Sequence, residues 1–312
     1  MSLDPHLLER ARKASVLLPL DFLGLLRLEG PDVADYLQRV SSQDAEGLAP
    51  GSSAPDCLLT GKGKLLAWFR LLRLGQERFY AETLRDQLPA LRELLDRYIF
   101  TEKIELTVLE EHAGLGLIGP EAPGLCTAPG LPLEFDEVRE EEGLLHVRSD
   151  ELGIPFCRIY GLEARLLDER QRLIQEGIPV ADRSLFEALR IDAGVALFGV
   201  DADETTIPLE VGMEEACHPT KGCYTGQEVV ARIRTYGHVN RKLMKVRYAS
   251  ELPFEPGSLI YDEGMEAGRL TSAWLSPLDG TWHGLALLPL AVTEEDTDLR
   301  IGAEDGPRLD LV

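Results

Sequence analysis

The chain has 312 residues, 44% of them hydrophobic and 28% charged, with a formal net charge of −22. That length and balance suit two or three packed soluble domains, and the far field of so acidic a chain repels phosphate backbones and anionic lipid, so neither nucleic acid nor a membrane is expected as a partner. No apolar run reaches the ~18 residues of a membrane span, and the opening MSLDPHLLERARK has neither the apolar segment nor the cleavage site of a secretory signal, so a cytoplasmic protein is expected.

In chain order, residues 23–29 predict a strand, and Gly30-Pro31-Asp32 then opens a helix through Leu37, with Pro31 suited to a first helical position. Residues 56–60 and 65–74 are apolar runs joined by Gly61-Lys62-Gly63, and residues 78–83 follow a second turn, which predicts antiparallel strands. Leucines at 88, 91, 94 and 95 mark a helix over residues 87–98. Residues 104–109 and 115–118 read as strands, the Pro- and Gly-rich acidic stretch 119–143 as a break, and residues 162–176 and 183–194 as amphipathic helices. From Arg241 onward short apolar runs broken by Gly, Pro and Asp-Gly predict a small β domain, so the fold class is α+β.

"GLGLIG" at 114–119 matches the dinucleotide pattern G-x-G-x-x-G, but Pro120, Pro123 and Gly124 follow where a helix would have to aim its N-terminus at a pyrophosphate. A Gly-rich strand is the reading. The cysteines, Cys57, Cys126, Cys157, Cys217 and Cys223, are odd in number and widely spread, which predicts reduced thiols. Cys217, His218 and Cys223 approach zinc spacing without completing it, so no metal is expected.

The densest chemistry lies in "PTKGCYTGQEVVARIR" at 219–234. Thr225 and Glu228 have capping-box spacing, with Tyr224 and Val229 as a hydrophobic staple, which predicts a helix start. That account leaves Lys221, Gly222, Cys223 and Gln227 unexplained. Cys223, beside free helix N–H groups and close to Lys221, has the surroundings that stabilise a thiolate; a small buried cysteine is the rival reading, and spacing leaves both open. Residues 221–247 carry seven basic residues (Lys221, Arg232, Arg234, Arg241, Lys242, Lys245, Arg247) against Glu228 alone, and residues 57–76 carry Lys62, Lys64, Arg70 and Arg73 with no acid. Basic windows in so acidic a chain are either solvated faces or a sequestered anion site, and two of them favour the site.

"KGCYTGQE" at 221–228, with "TTIPLE" at 205–210, "LRIDAGVALFG" at 189–199, "VARIRTYGHVNRKL" after it, and "LLRLEGPDVADYLQRVSSQD" and "LLTGKGKLLA" earlier, resembles the YgfZ-type folate-binding proteins of the aminomethyltransferase superfamily. The resemblance implies a three-domain ring: a folate-binding region of two interwoven α+β domains over residues 1–238, and a C-terminal β barrel over residues 239–312. It implies tetrahydrofolate, or a polyglutamylated folate, in a central channel. Glu210 would grip the pterin, a role suited to a carboxylate that accepts two parallel N–H bonds. Arg241 or Arg232 would meet the glutamate tail, and Tyr224 and Gln227 would complete the folate site.

In the aminomethyltransferases the hairpin matching "GKGKLLAWFR" carries a catalytic aspartate, and Ala67 and Trp68 stand there in this chain. That departure makes aminomethyl transfer, or one-carbon metabolism at large, the alternative reading. The implied function is help to iron–sulfur client proteins in cluster assembly or repair, with Cys223 and Lys221 as the chemical pair. A folate-binding module without chemistry is the third reading, and a monomer is expected.

Overall fold

The computed structural model describes residues 3–127, 132–293 and 297–312. The described chain builds three antiparallel sheets. Helix α1 (Pro5–Lys13), capped by Asp4, leads into β1 (Val16–Pro19). The first sheet runs in the order β1, β7 (His112–Ile118), β10 (Phe156–Leu162), β9 (Leu144–Ser149), β8 (Val138–Glu141). Between its first two strands the chain leaves to build the whole second sheet: β3 (Ser52–Leu59), β4 (Leu65–Arg73), β5 (Arg78–Leu84), β2 (Leu23–Glu29), β6 (Glu105–Val108). The second unit is thus nested inside the first.

Helices α2 (Val33–Val40) and α3 (Leu88–Asp96) cover the second sheet, burying Tyr36, Leu37, Leu91 and Leu95 against Leu26, Leu28, Phe69 and Phe79. The Tyr36 hydroxyl donates to Leu95 O at 2.5 Å and ties the two helices. Helix α5 (Glu163–Gln175) lays Leu166 and Leu173 on the first sheet, beside the single turn α4 (Ala122–Leu125). Helix α6 (Arg183–Ala193), capped by Asp182 and ended by Gly194 at φ 78°, inserts Leu185, Phe186 and Leu189 into a core with Phe22 and Phe156.

The first five residues of "GLGLIG", 114–118, lie in β7, as a strand, and Gly119 follows it. Gly119 has φ 133°, and a Cβ there would stand 2.1 Å from Ala14 O, so this glycine serves the close approach of α1 rather than a phosphate. One helical turn, α4, does follow it.

After α7 (Gln227–Tyr236) the third sheet runs β15 (Leu299–Ile301), β12 (Leu259–Asp262), β13 (Met265–Leu275), β14 (Trp282–Pro289), β11 (Arg241–Tyr248), β16 (Leu309–Leu311). An antiparallel bridge between Arg300 and Arg308 brings its two edges together, so the six strands nearly close into a barrel around Val246, Tyr248, Leu270, Ala286 and Leu288. Among the described residues, no helix is long and apolar enough to cross a membrane.

Two polar joints dock this barrel on α6. In one, Asp201 accepts from Arg190 at 2.9 Å, Leu197 N at 3.0 Å, and the Thr271 and Ser272 hydroxyls at 2.6 Å each, while Arg190 also donates to Ser272 at 2.8 Å. In the other, His283 on β14 meets Asp192 Oδ1 through Nδ1 at 2.7 Å and Asp279 Oδ2 through Nε2 at 3.1 Å, and Arg12 donates to Asp192 at 3.0 Å. The hydrogen bond to Asp192, then that to Asp279, raises the His283 pKa above its ordinary value against the opposing effect of burial. A histidine with a raised folded-state pKa adds stability below its unfolded value of about 6.5 and loses it as pH rises through the folded value. The stability gap between wild type and His283→Gln, measured by urea unfolding, is therefore expected to be widest near pH 6 and to shrink as the pH rises from about 6.5; a gap that does not vary with pH removes the charge from the account.

Candidate functional site

A cavity of about 400 Å³ opens between the first two sheets and the segments after α6. From β4 it takes Trp68 and Arg70, from the first sheet's side Asp136, Asp150 and Glu151, and from the two segments Gly194–Ala196 and Val211–Ala216. A narrower apolar recess shares Trp68, Arg70, Glu151 and Val195 and adds Phe156, Phe186 and Phe198. A site of this size with aromatic walls and a few converging polar groups suits one small molecule.

The polar wall is a chain of alternating charge. Arg70 donates to Asp136 at 3.0 Å, Ser53 at 3.2 Å and Glu151 at 2.6 Å; Arg158, fully buried on β10, donates to Glu151 at 3.3 Å, Ser149 at 2.8 Å and Glu82 at 3.0 Å. Burial alone would push the Glu151 carboxyl up, but Arg70 and Arg158 outweigh it and hold it below the usual range, whereas burial leaves Glu82 raised despite Arg158. Two arginines and three carboxylates cross from sheet to sheet here, and removing one member of such a buried set costs about 3–5 kcal/mol. Glu215, also on the cavity wall, is exposed and has no ion pair among the described residues.

The side chains singled out in the sequence fall elsewhere, in three groups. Glu210 is buried at the end of a 3₁₀ turn (Pro208–Glu210), where its carboxylate accepts from Ile207 N at 2.9 Å and pairs with Arg241 Nε at 3.2 Å; Arg241 also donates to Thr205 O at 3.0 Å. The cavity wall begins at Val211, immediately after it. Lys221 turns inward: its ammonium donates to Ser41 O at 2.7 Å and Gln43 O at 2.6 Å and lies 5.3 Å from the centre of the buried Tyr224 ring. Burial lowers its pKa. Gln227 Nε2 reaches Lys221 O at 3.5 Å. Cys223 and Arg232 are exposed, so the Lys221 charge and the Cys223 thiol part company, one to the interior and one to solvent. None of these seven side chains lines the cavity.

The basic windows do not converge either. Arg234 donates to Glu214 O at 2.6 Å and Lys245 to Asp192 O at 3.2 Å, while Arg73 is spent on Ala45, Glu46 and Leu48 carbonyls. Arg70 is the cavity's one cation among the described residues. Cys217 meets Cys57, Sγ to Sγ 3.9 Å, both buried.

The start of α7 corrects the sequence reading. The residue before the helix is Gly226, not Thr225, and no side chain caps it. Gly226 has φ 85°, and a Cβ on it would lie 2.7 Å from Thr60 O and 3.1 Å from the Gly63 Cα. The hairpin turn at 60–63 thus abuts the cysteine loop through two glycines, and that close approach, rather than a hydroxyl cap, sets where the helix begins. Tyr224 and Val230 belong to one buried cluster, and the Val229 side chain lies against Gly63 of the hairpin.

Sequence reading also passed over Arg158, Arg190 and Asp201. The signal for Arg158 was present: one arginine inside the apolar run "PFCRIYGL" has to find buried partners.

No protein-family model matches the chain. It is 30% identical over 236 residues to a protein of Hamiltonella defensa named tRNA-modifying protein YgfZ, covering 71% of this chain and 66% of that one. Against the aminomethyltransferase of Rubrobacter xylanophilus it is 27% identical over 294 residues, 90% of this chain and 78% of the relative. The crystal structure of glycine cleavage system aminomethyltransferase T from Bartonella henselae superposes with a TM-score of 0.87 over 98% of this chain and 87% of that chain, at 22% identity, so the α+β fold is shared.

Gly226→Ala is expected to cost about 1–3 kcal/mol, because the substitution strains a positive φ and drives a methyl group into the hairpin. Gly222→Ala, with nothing within 4 Å of its Cβ position, is expected to be close to neutral. Thermal unfolding of the two variants checks this, and equal melting temperatures contradict it. The chain is a YgfZ-type member of the aminomethyltransferase superfamily.

Proposed function

We propose that the chain binds tetrahydrofolate, or a polyglutamylated folate, in the cavity beside Trp68, and serves as an accessory factor in the assembly or repair of iron–sulfur proteins. The observation that carries the reading is the separation of a ligand-sized cavity from an exposed Cys223. Trp68 offers a face for a planar pterin, and a wall carboxylate suits its paired N–H donors. Glu215 is the wall carboxylate free of an ion pair among the described residues. The glutamate tail, repelled by the acids of the wall, runs toward solvent and the exposed Arg232.

In this reading Glu210 and Arg241 are positioning residues, since each already satisfies the other and together they hold the wall segment that starts at Val211. Lys221, Tyr224 and Gln227 shape the loop that presents Cys223. Residues 1–238 are the folate-binding region and residues 239–312 the barrel, in a cytoplasmic monomer.

The second reading is folate-dependent aminomethyl or methyl transfer, for which the free Glu215 would be the acid–base group that Ala67 and Trp68 do not supply. Turnover of an aminomethyl or methyl donor with tetrahydrofolate, abolished in Glu215→Gln, would establish it.

Calorimetric titration separates the parts. Trp68→Ala is expected to weaken tetrahydrofolate binding at least tenfold, about 1.4 kcal/mol. Cys223→Ala is expected to bind as wild type does and yet fail to restore iron–sulfur enzyme activity in cells lacking their own counterpart. Undiminished binding in Trp68→Ala overturns the cavity assignment, and full restoration by Cys223→Ala overturns the thiol assignment.

A further inference from the structure

Beneath the cysteine loop lies a buried polar cluster that the ligand cavity does not use. Cys57, on β3, and Cys217, just after the turn Glu214–Ala216, approach to 3.9 Å between sulfurs and are 0% and 1% exposed. Ser42 Oγ lies 2.9 Å from Cys57 Sγ and 3.3 Å from Asp56 Oδ1, and its proton is shared with Ala216 O and with Cys57 O at 3.1 Å, so the hydroxyl stands between the thiol and the carboxylate and joins them when it turns to Asp56. Asp56 is wholly buried; its Oδ1 accepts from the N–H groups of Ser42, Gln43 and Cys57 at 3.0, 2.8 and 2.8 Å, and its Oδ2 has no partner among the described residues.

A second cysteine pair serves as contrast. Cys126 faces Cys157 in an apolar cluster with Leu17, Leu117 and Leu166, and the Cys126 thiol reaches a carbonyl, Pro123 O, at 3.7 Å. The first pair therefore has a carboxylate linked to it through a hydroxyl, and the second has a backbone carbonyl as its thiol contact.

We propose that Cys57 and Cys217 form a redox-active dithiol, closed to a disulfide by a small disulfide oxidant of the glutathione disulfide class, which ties the cavity wall to β3. Cys217 is the attacking sulfur: the Cys57 S–H holds its thiolate, lowering its pKa, whereas burial raises Cys57. When the irregular segment around Cys217 opens to admit the oxidant, the thiolate displaces one thiolate from it and forms a mixed disulfide. The Cys57 proton passes through Ser42 to Asp56, and the Cys57 sulfur then attacks Cys217, releasing the second thiolate. Two protein thiols are oxidised, one disulfide is reduced to two thiols, and the protons leave with them. Closing the sulfurs to bonding distance takes roughly 2 Å, shared between side-chain rotation and the irregular segment around Cys217. Glu215 and Ala216, which line the cavity, immediately precede Cys217, so the bond would fix that wall. The inference does not depend on which ligand the cavity holds.

The test is equilibration of the native full chain in glutathione redox buffers of rising oxidised fraction, acid quenching, alkylation after unfolding, and peptide mass spectrometry. A Cys57–Cys217 cross-link is expected that dithiothreitol reverses, that persists in Cys223→Ser and disappears in Cys217→Ser, while Cys126 and Cys157 remain alkylatable. Should Cys57→Ser fail to fold, the wild-type and Cys217→Ser results suffice. Free thiols at 57 and 217 in the most oxidising buffer, or a cross-link from Cys217 to Cys223 in their place, overturn the proposal.

Discussion

The ion pair between Arg190 and Asp201 is the constraint on which the remaining architecture depends. Each charge is taken out of water and each is fully partnered: Arg190 also donates to Glu187 at 2.6 Å and to Val195 O at 3.2 Å, and Asp201 accepts four bonds. A buried pair is tolerated on those terms, because mutual attraction and satisfied hydrogen bonds offset desolvation. The pair bends the chain after Gly194 back onto α6, which places Gly194, Val195 and Ala196 on the cavity wall, and the same two side chains take hold of β13 through Thr271 and Ser272. Cavity shape and barrel position are thereby set by one interaction.

Electrostatics then divides the molecule into two faces of different chemistry. Among the described residues, the cavity is lined by carboxylates around a single arginine, each held by the network from Asp136 to Glu82 or, for Asp150, by Arg148 at 3.0 Å; Glu215 is the exception. Such a wall orients hydrogen-bond donors of a ligand. The cysteine loop meets solvent at Cys223 and abuts the 60–63 hairpin through Gly63 and Gly226. The two faces are in contact through the segment Val211–Cys217, whose first residues bound the cavity and whose last carries a sulfur. Change at one face therefore has a short covalent path to the other.

Much of this was legible in the sequence where periodicity is strong. The alternation and leucine spacing that predict residues 23–29 and 87–98 correspond to β2 and α3, and the second amphipathic helix ends at its glycine cap. Helix α1 escaped because it buries few positions, Leu8 and Ala11, too few to show a period. Strands β8 and β9 escaped because β8 is largely acidic (VREE) and both follow a stretch rich in turn residues. For the site, the motif singled out a loop but could not show its geometry. Lys221 and Cys223 are two residues apart, and whether they face each other depends on the long-range carbonyls of Ser41 and Gln43, which no local spacing reveals. The basic window likewise looked like one patch, yet Lys221, Arg234, Arg241 and Lys245 each answer to a different long-range partner.

The most direct measurement of the account is hydrogen exchange, read by mass spectrometry, with and without saturating tetrahydrofolate. The account predicts slowed exchange in peptides covering residues 193–196, 211–216 and the part of β4 around Trp68, with peptides covering Cys223 unchanged. Protection confined to the cysteine loop, or no change anywhere, would contradict a ligand held between the sheets.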